Sequence, residues 1–347
     1  MNSTLSISNV IIDNVIIDNV IIDDLLIDII DLVHINDLQE LSNCNVLLNY
    51  IIHQPKFIRK SVPNDIVGLV NDGNFNDALF AATKGGHLEI CKYLVEQEQG
   101  TTNLNHVLHY ASWYEHLEIC KYFVSLGANN FGEVLLNAAC KYNLEICKYL
   151  VSLGATNLNR ALEYAAYGDL EICKYLVSLG ATDFNKALCG AAKGGDLEIC
   201  EYFVLLGATN FNKALKRAAK SGDLNICKYL VSLGATNFNN ALKCAAKGGD
   251  LNICKYLVSL GATNFNKALV SAAVYGQLEI CKYLVSLGAT NFNNALCDAA
   301  KGGDLNICKY LVSLGANNFD EALVRTRPPY HTRIYLTEQK RLYKLNN

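Results

Sequence analysis

Residues 210–236 read NFNKALKRAAKSGDLNICKYLVSLGAT, and much of the chain is this phrase again. Its second half recurs nine times with small changes, marked by Cys91, Cys120, Cys147, Cys173, Cys200, Cys227, Cys254, Cys281 and Cys308. From Cys173 onward the step is 27 residues; the earlier steps are 29, 27 and 26. A fixed period of this size marks stacked units, each too small to bury its apolar face alone and each covered by its neighbours.

The letters of one unit predict two helices. Asn212 is placed to cap the first, its side-chain oxygen accepting from first-turn amides. Leu215, Ala218 and Ala219 fall at i, i+3 and i+4 and make one apolar stripe. Two alanines in that stripe allow a neighbouring helix to come close. Gly222 can take the left-handed conformation that ends the helix, and Asp223 caps the next one. Leu224, Ile226, Cys227, Leu230, Val231 and Leu233 cover the second helix on more than one side, and Gly234 stops it. The expected fold is all-α: about nine antiparallel helix pairs laid side by side.

At this point the residues resemble the ankyrin repeat. GGHLEICKYLV at 85–95 and AAKGGDLNICKYLVSLGA at 245–262 follow the family pattern AAxxGHxEIVxLLLxxGA, with Gly86 and His87 keeping the Gly-His pair. There are two departures. The unit is 27 residues long where the family has about 33, and the deficit falls between GA and the next first helix, where the family carries a β-hairpin finger. The TPLH tetrapeptide is replaced by Lys213, Ala214, Leu215 and Lys216. The resemblance implies an ankyrin-like helical solenoid with short or absent fingers, binding a protein partner through the concave first-helix face. The short unit and the Asn-, Ile- and Tyr-rich composition also resemble the ankyrin-repeat families of giant amoeba-infecting DNA viruses. That likeness implies an adaptor acting on host proteins in the host cytoplasm.

Around the array, residues 1–72 form a non-repeat region, 73–316 the repeats, and 317–347 a divergent end. The first region opens on three copies of VIIDN or VIIDD, a five-residue period that suits neither helix nor strand faces. Residues 37–53 read as a helix, before Pro55 and Pro63, and could close the first apolar face of the array as a decayed unit. At the other end Asp320 to Arg325 read as one more first helix. Pro328 and Pro329 follow, then a basic tail with Arg333, Lys340, Arg341 and Lys344.

The chain has 347 residues and a net charge of −3, with no overall bias toward an acidic partner. Asp13, Asp18, Asp23, Asp24, Asp28 and Asp31 interrupt the only long apolar stretch, so no membrane span is expected. No Lys or Arg precedes that stretch, and no secretion is expected. Nine of the fourteen cysteines stand in repeat register, where stacked neighbours lie too far apart to bridge. They read as small buried apolar groups in a reducing compartment.

In such a stack the repeated letters form the core, and the changing letters can recognise something. Three first-helix registers change. Lys213, Lys216, Arg217 and Lys220 stand at i, i+3, i+4 and i+7 on one face. Lys186, Lys193, Lys243 and Lys247 continue that basic stripe in adjoining units. Earlier units place Tyr110, Trp113, Tyr164 and Tyr167 at these registers, aromatic groups of the kind that anchor interfaces. Protein binding by a monomer is the expectation; nucleic acid held by the basic stripe and tail is the alternative. His106, His109, His116 and Cys120 match no zinc spacing well, and no phosphate-loop, dinucleotide or nucleophile-elbow motif is present. Neither catalysis nor a cofactor is expected.

Overall fold

A computed structural model of the protein describes residues 66, 69, 74–97, 103–326 and 330–346. The VIIDN copies, the helix read over 37–53, and Pro55, Pro63, Pro328 and Pro329 lie outside these residues. The chain divides into two compact units between Thr102 and Asn103, a boundary that falls after the first repeat. Among the described residues there are twenty helices and no strand.

The first compact unit carries α1 (Phe75–Gly85) and α2 (Leu88–Gln97), one helix pair. The second carries nine more pairs. In chain order these are α3 (Leu104–Trp113) with α4 (Leu117–Ser125), α5 (Phe131–Cys140) with α6 (Leu144–Ser152), and α7 (Leu158–Ala165) with α8 (Leu170–Ser178). Next come α9 (Phe184–Gly194) with α10 (Leu197–Leu205), α11 (Phe211–Ser221) with α12 (Leu224–Ser232), and α13 (Phe238–Gly248) with α14 (Leu251–Ser259). The last are α15 (Phe265–Val274) with α16 (Leu278–Ser286), α17 (Phe292–Gly302) with α18 (Leu305–Ser313), and α19 (Phe319–Arg325) with α20 (Tyr330–Asn346). Odd-numbered helices are therefore the first of each pair.

Apolar periodicity and capping account for this regularity. Asp223 accepts a hydrogen bond from the Ile226 amide at 2.7 Å, and Asn143, Asp169, Asp196, Asp250 and Asp304 do the same in their own pairs at 2.7–3.0 Å. Gly222 ends α11 at φ 91°, a conformation only glycine adopts without strain. Leu215, Ala218, Ala219, Ile226, Cys227 and Leu230 have no solvent exposure, and the other units bury the same letters. Within the second compact unit the first helices press along one another, while second helices touch their neighbours sparsely. The paired alanines make that difference, since a methyl group is all that separates adjacent first helices. The nine register cysteines are buried and free, and burial drives their thiols up to about 12.

Asn212 does not cap its helix. The cap position belongs to Asn210, because α11 begins at Phe211, and Asn212 lies in the first turn. Its Oδ1 instead accepts from the backbone N–H of Thr236 and Asn237, at 2.8 and 2.7 Å, in the turn that leads to the next unit. The same bridge is made by Asn105, Asn159, Asn185, Asn239, Asn266 and Asn293. An asparagine ladder thus ties seven of the short connections to the unit before them, satisfying amides that the turn does not pair within itself; Gly132 takes the asparagine's place in one unit. Asn239→Ala is expected to cost about 1–2 kcal/mol in urea unfolding despite the exposure of the residue, given two hydrogen bonds of ordinary net worth. Asn240→Ala, equally exposed and one position on, is the control and should move stability by less than about 0.5 kcal/mol.

The second-helix tyrosines lean on the preceding unit rather than the following one. Burial raises the Tyr175 and Tyr256 phenols, and the next cause of each shift is a register cysteine of the unit before, Cys147 and Cys227. The divergent end continues the pattern. Tyr335 sits under Lys309 at 5.9 Å, as Tyr283 sits under Lys255 at 6.0 Å, and Leu336 is fully buried beside it. Thr332 donates to the Gly303 carbonyl at 3.0 Å. Residues 330–346, read as a tail, therefore form a second helix for α19, with Lys340 paired to Asp320 across the two.

Candidate functional site

The variable first-helix registers border the buried stripe: Leu136, Asn137, Cys189, Ser271 and Cys297 are buried there, whereas most of the basic residues are exposed. Along α11, Lys213, Arg217 and Lys220 are exposed and Lys216 is half-buried. Among the described residues none of these four, nor Lys243, has a carboxylate within 4.0 Å. They form the uncompensated part of the basic stripe. Lys186 differs, since its Nζ lies 2.6 Å from Asp183 on its own first turn.

Two further stripe lysines are engaged by aromatic rings. Lys193 lies 4.6 Å from the ring centre of Tyr167 and donates to its hydroxyl at 3.3 Å. Lys247 lies 4.3 Å from the ring of Tyr275. Its hydrogen bond holds the Tyr275 phenol below the usual range, helped by the positive charge of Lys247, Lys220 and Lys301. Tyr275 stands immediately after the third variable register, where most other units have Gly or Ser and two have Tyr114 and Lys141, and was not among the sequence candidates. Alignment of the units by position exposes it: Gly194, Ser221, Gly248 and Gly302 share its place.

The aromatic candidates separate into two groups. Trp113 is 38 % exposed, and Lys141 of the following unit covers its ring at 4.4 Å. Tyr110 packs edge-on against His106 and His109 and stacks with Tyr114. Tyr164 and Tyr167 stand together on the α7 side, ring centres 6.5 Å apart. Trp113 and Tyr167 therefore present cation-capped rings rather than open faces.

A hollow of about 330 Å³ lies beside Tyr110, lined also by Asn103, Asn105, His106, His109 and Asn130. His109 Nδ1 is 2.7 Å from Asn137 Nδ2, and burial, with the charge of His106, keeps the imidazole of His109 below the ordinary histidine range. The Asn130 Oδ1 is buried without a hydrogen-bond partner among the described residues. His116 stands at the start of α4, and Cys120 is buried inside it with its thiol pushed up to about 12. Among the described residues no group of three or more His, Cys, Asp or Glu is arranged to hold a metal ion.

The arrangement is a long surface of mixed character: aromatic and polar over α3–α7, cationic over α9–α13. It can hold the side chains of a macromolecule across several units. No helix of the described residues is long and apolar enough to cross a membrane. A family model described as ankyrin repeats, in three copies, matches residues 46–131, 127–187, 188–267 and 245–322. No curated protein matches the sequence.

Proposed function

The chain belongs to the ankyrin-repeat family, and from that premise we propose that it is an interaction scaffold that holds an acidic protein surface across its first helices. Ankyrin repeats are generally protein–protein interaction modules, and proteins built from them are typically non-enzymatic scaffolds. The observation that carries the reading is the run of four cations on α11, Lys213, Lys216, Arg217 and Lys220, with no carboxylate within 4.0 Å among the described residues. A stack needs no such field for its own cohesion, and a partner of opposite charge gains association rate and register from it. The aromatic end supplies contact area and the cationic end orientation. The thirteen cysteines among the described residues are free, which suits a reducing cytoplasm. The likeness to viral repeat families supports a host protein as the partner and an adaptor role, with the array working as a monomer.

Proximity labelling with the full-length chain in its native cell, or the infected one, tests this. The variant reverses the charge: Lys213→Glu, Lys216→Glu, Arg217→Glu and Lys220→Glu together. Partners recovered with the wild-type chain should bind the variant at least about 30-fold more weakly, roughly 2 kcal/mol. If every partner persists with both the charge reversal and Trp113→Ala, the first-helix face is not the binding face. A salt titration with duplex DNA and with RNA separates the alternative: steep loss of affinity with salt assigns the stripe to a phosphate backbone.

A further inference from the structure

One unit breaks the repeat on the opposite surface. The outer second helix reads LEICEYFVLLGA at 197–208, where its neighbours read LEICKYLVSLGA or LNICKYLVSLGA. Two of the three changes are exposed. Glu201 replaces a lysine kept at Lys121, Lys148, Lys174, Lys228, Lys255, Lys282 and Lys309, and Leu205 replaces a serine.

The leucine removes a local contact, and the glutamate reverses a local charge. In seven other units that serine hydroxyl donates to the carbonyl of the tyrosine three residues earlier, as Ser178 does to Tyr175 at 2.6 Å and Ser232 to Tyr229 at 2.7 Å. Leu205 has no hydroxyl and stands 84 % exposed. In three units the lysine pairs with a glutamate one turn earlier, Lys92 with Glu89 at 2.6 Å, Lys121 with Glu118 at 2.6 Å and Lys282 with Glu279 at 2.7 Å, while Asn225, Asn252 and Asn306 stand there in others. Glu198 has Glu201 in that place, so two carboxylates share one face of α10 at i and i+3, an unfavourable spacing for like charges. Among the described residues neither has a cation within 4.0 Å.

These residues line a groove of about 540 Å³ between α8, α10 and α12, with Leu170 and Lys174 on one wall and Tyr229 on the other. Glu201 lies close enough to raise the Tyr229 phenol further than burial alone. The groove pairs an unpartnered leucine with two unneutralised carboxylates, in the one outer-helix position of 103–316 where the lysine register is acidic. We propose that it is a second docking site, on the outer face of the array, for a basic segment of a partner protein that carries a large apolar side chain beside Lys or Arg. The apolar side chain seats against Leu205 and Leu170, and the cations meet Glu198 and Glu201. Docking there leaves the first-helix face free, so the array can hold two partners at once.

The test uses the full-length chain and the variant Glu201→Lys with Leu205→Ser, which restores the letters of the neighbouring units and so keeps the fold. The probes are a fluorescent twelve-residue peptide of leucine and lysine and its twin with glutamate for lysine. Wild type should bind the basic peptide at least about tenfold more tightly than the restored variant does, with the acidic twin unbound. Equal affinity of the two proteins, preference for the acidic twin, or no binding to wild type overturns the proposal. So does a wild-type mass that grows with concentration in sedimentation while that of the variant stays constant, which assigns the groove to a second copy of the chain.

Discussion

Between about pH 8 and pH 10 the array is expected to lose most of its stability, through groups that never meet solvent while it is folded. Burial raises the eight register thiols of the second compact unit from 9.0 to about 12. In the unfolded chain the same thiols titrate near their ordinary value. Above that value the unfolded state sheds protons that the folded state retains, so the unfolded state is favoured as pH rises. The contribution to stability is complete below pH 9 and disappears progressively toward pH 12. At pH 10 each thiol gives up roughly 1–2 kcal/mol, and eight together on the order of 10 kcal/mol. That is comparable with the whole stability of many domains. The second-helix tyrosines, raised by burial, act in the same direction. Helicity followed by circular dichroism against temperature, in steps from pH 7 to pH 10.5, measures the loss. Cys227→Val with Cys254→Val should recover about 3 kcal/mol at pH 10, with valine the residue the family pattern carries there. A melting temperature unchanged up to pH 10.5 would show that the thiols titrate as freely folded as unfolded.

The repeated letters made most of this architecture legible. A helix pair was readable from Leu215, Ala218, Ala219, Ile226, Cys227 and Leu230 because burial selects the same apolar spacing in each unit. Asp223 and Gly222 were readable because caps depend on local chemistry alone. Asn212 was misplaced because an asparagine near a helix start suits two tasks, and only the neighbouring unit decides between them. Its recurrence at seven positions was the available signal, since a polar letter repeated as faithfully as the leucines is holding something. The binding face was legible as a set of registers, not as a set of free groups. Lys186, Lys193 and Lys247 belong to the stripe by sequence, yet Asp183, Tyr167 and Tyr275 occupy them. The two lysine–tyrosine pairings cross from one unit to the next, over about 27 residues, and depend on side-chain reach that periodicity does not encode.

The close approach of first helices makes small residues the most sensitive sites in the array. Ala245 on α13 has no solvent exposure, and α13 packs along the flanking first helices α11 and α15. Ala245→Leu adds three heavy atoms where there is room for a methyl group. Second helices touch so sparsely that they cannot hold the units together once the first helices separate. The substitution is therefore expected to cost about 3 kcal/mol or more, at the upper end of overpacking effects. Leu257→Ala, a cavity in a fully buried second-helix position, should cost about 2–5 kcal/mol by a different route. The two are distinguishable by urea unfolding. A cavity weakens its own unit and leaves neighbouring units coupled, so the transition moves without changing slope. A wedge between units weakens the nearest-neighbour term that makes a stack cooperative, so the slope falls and the transition broadens or splits. Lys243→Leu introduces the same side chain on the exposed side of α13 and should shift stability by less than about 0.5 kcal/mol. A small, slope-preserving effect of Ala245→Leu would mean that neighbouring first helices can move apart freely, and that cohesion resides in the second helices and the asparagine ladder.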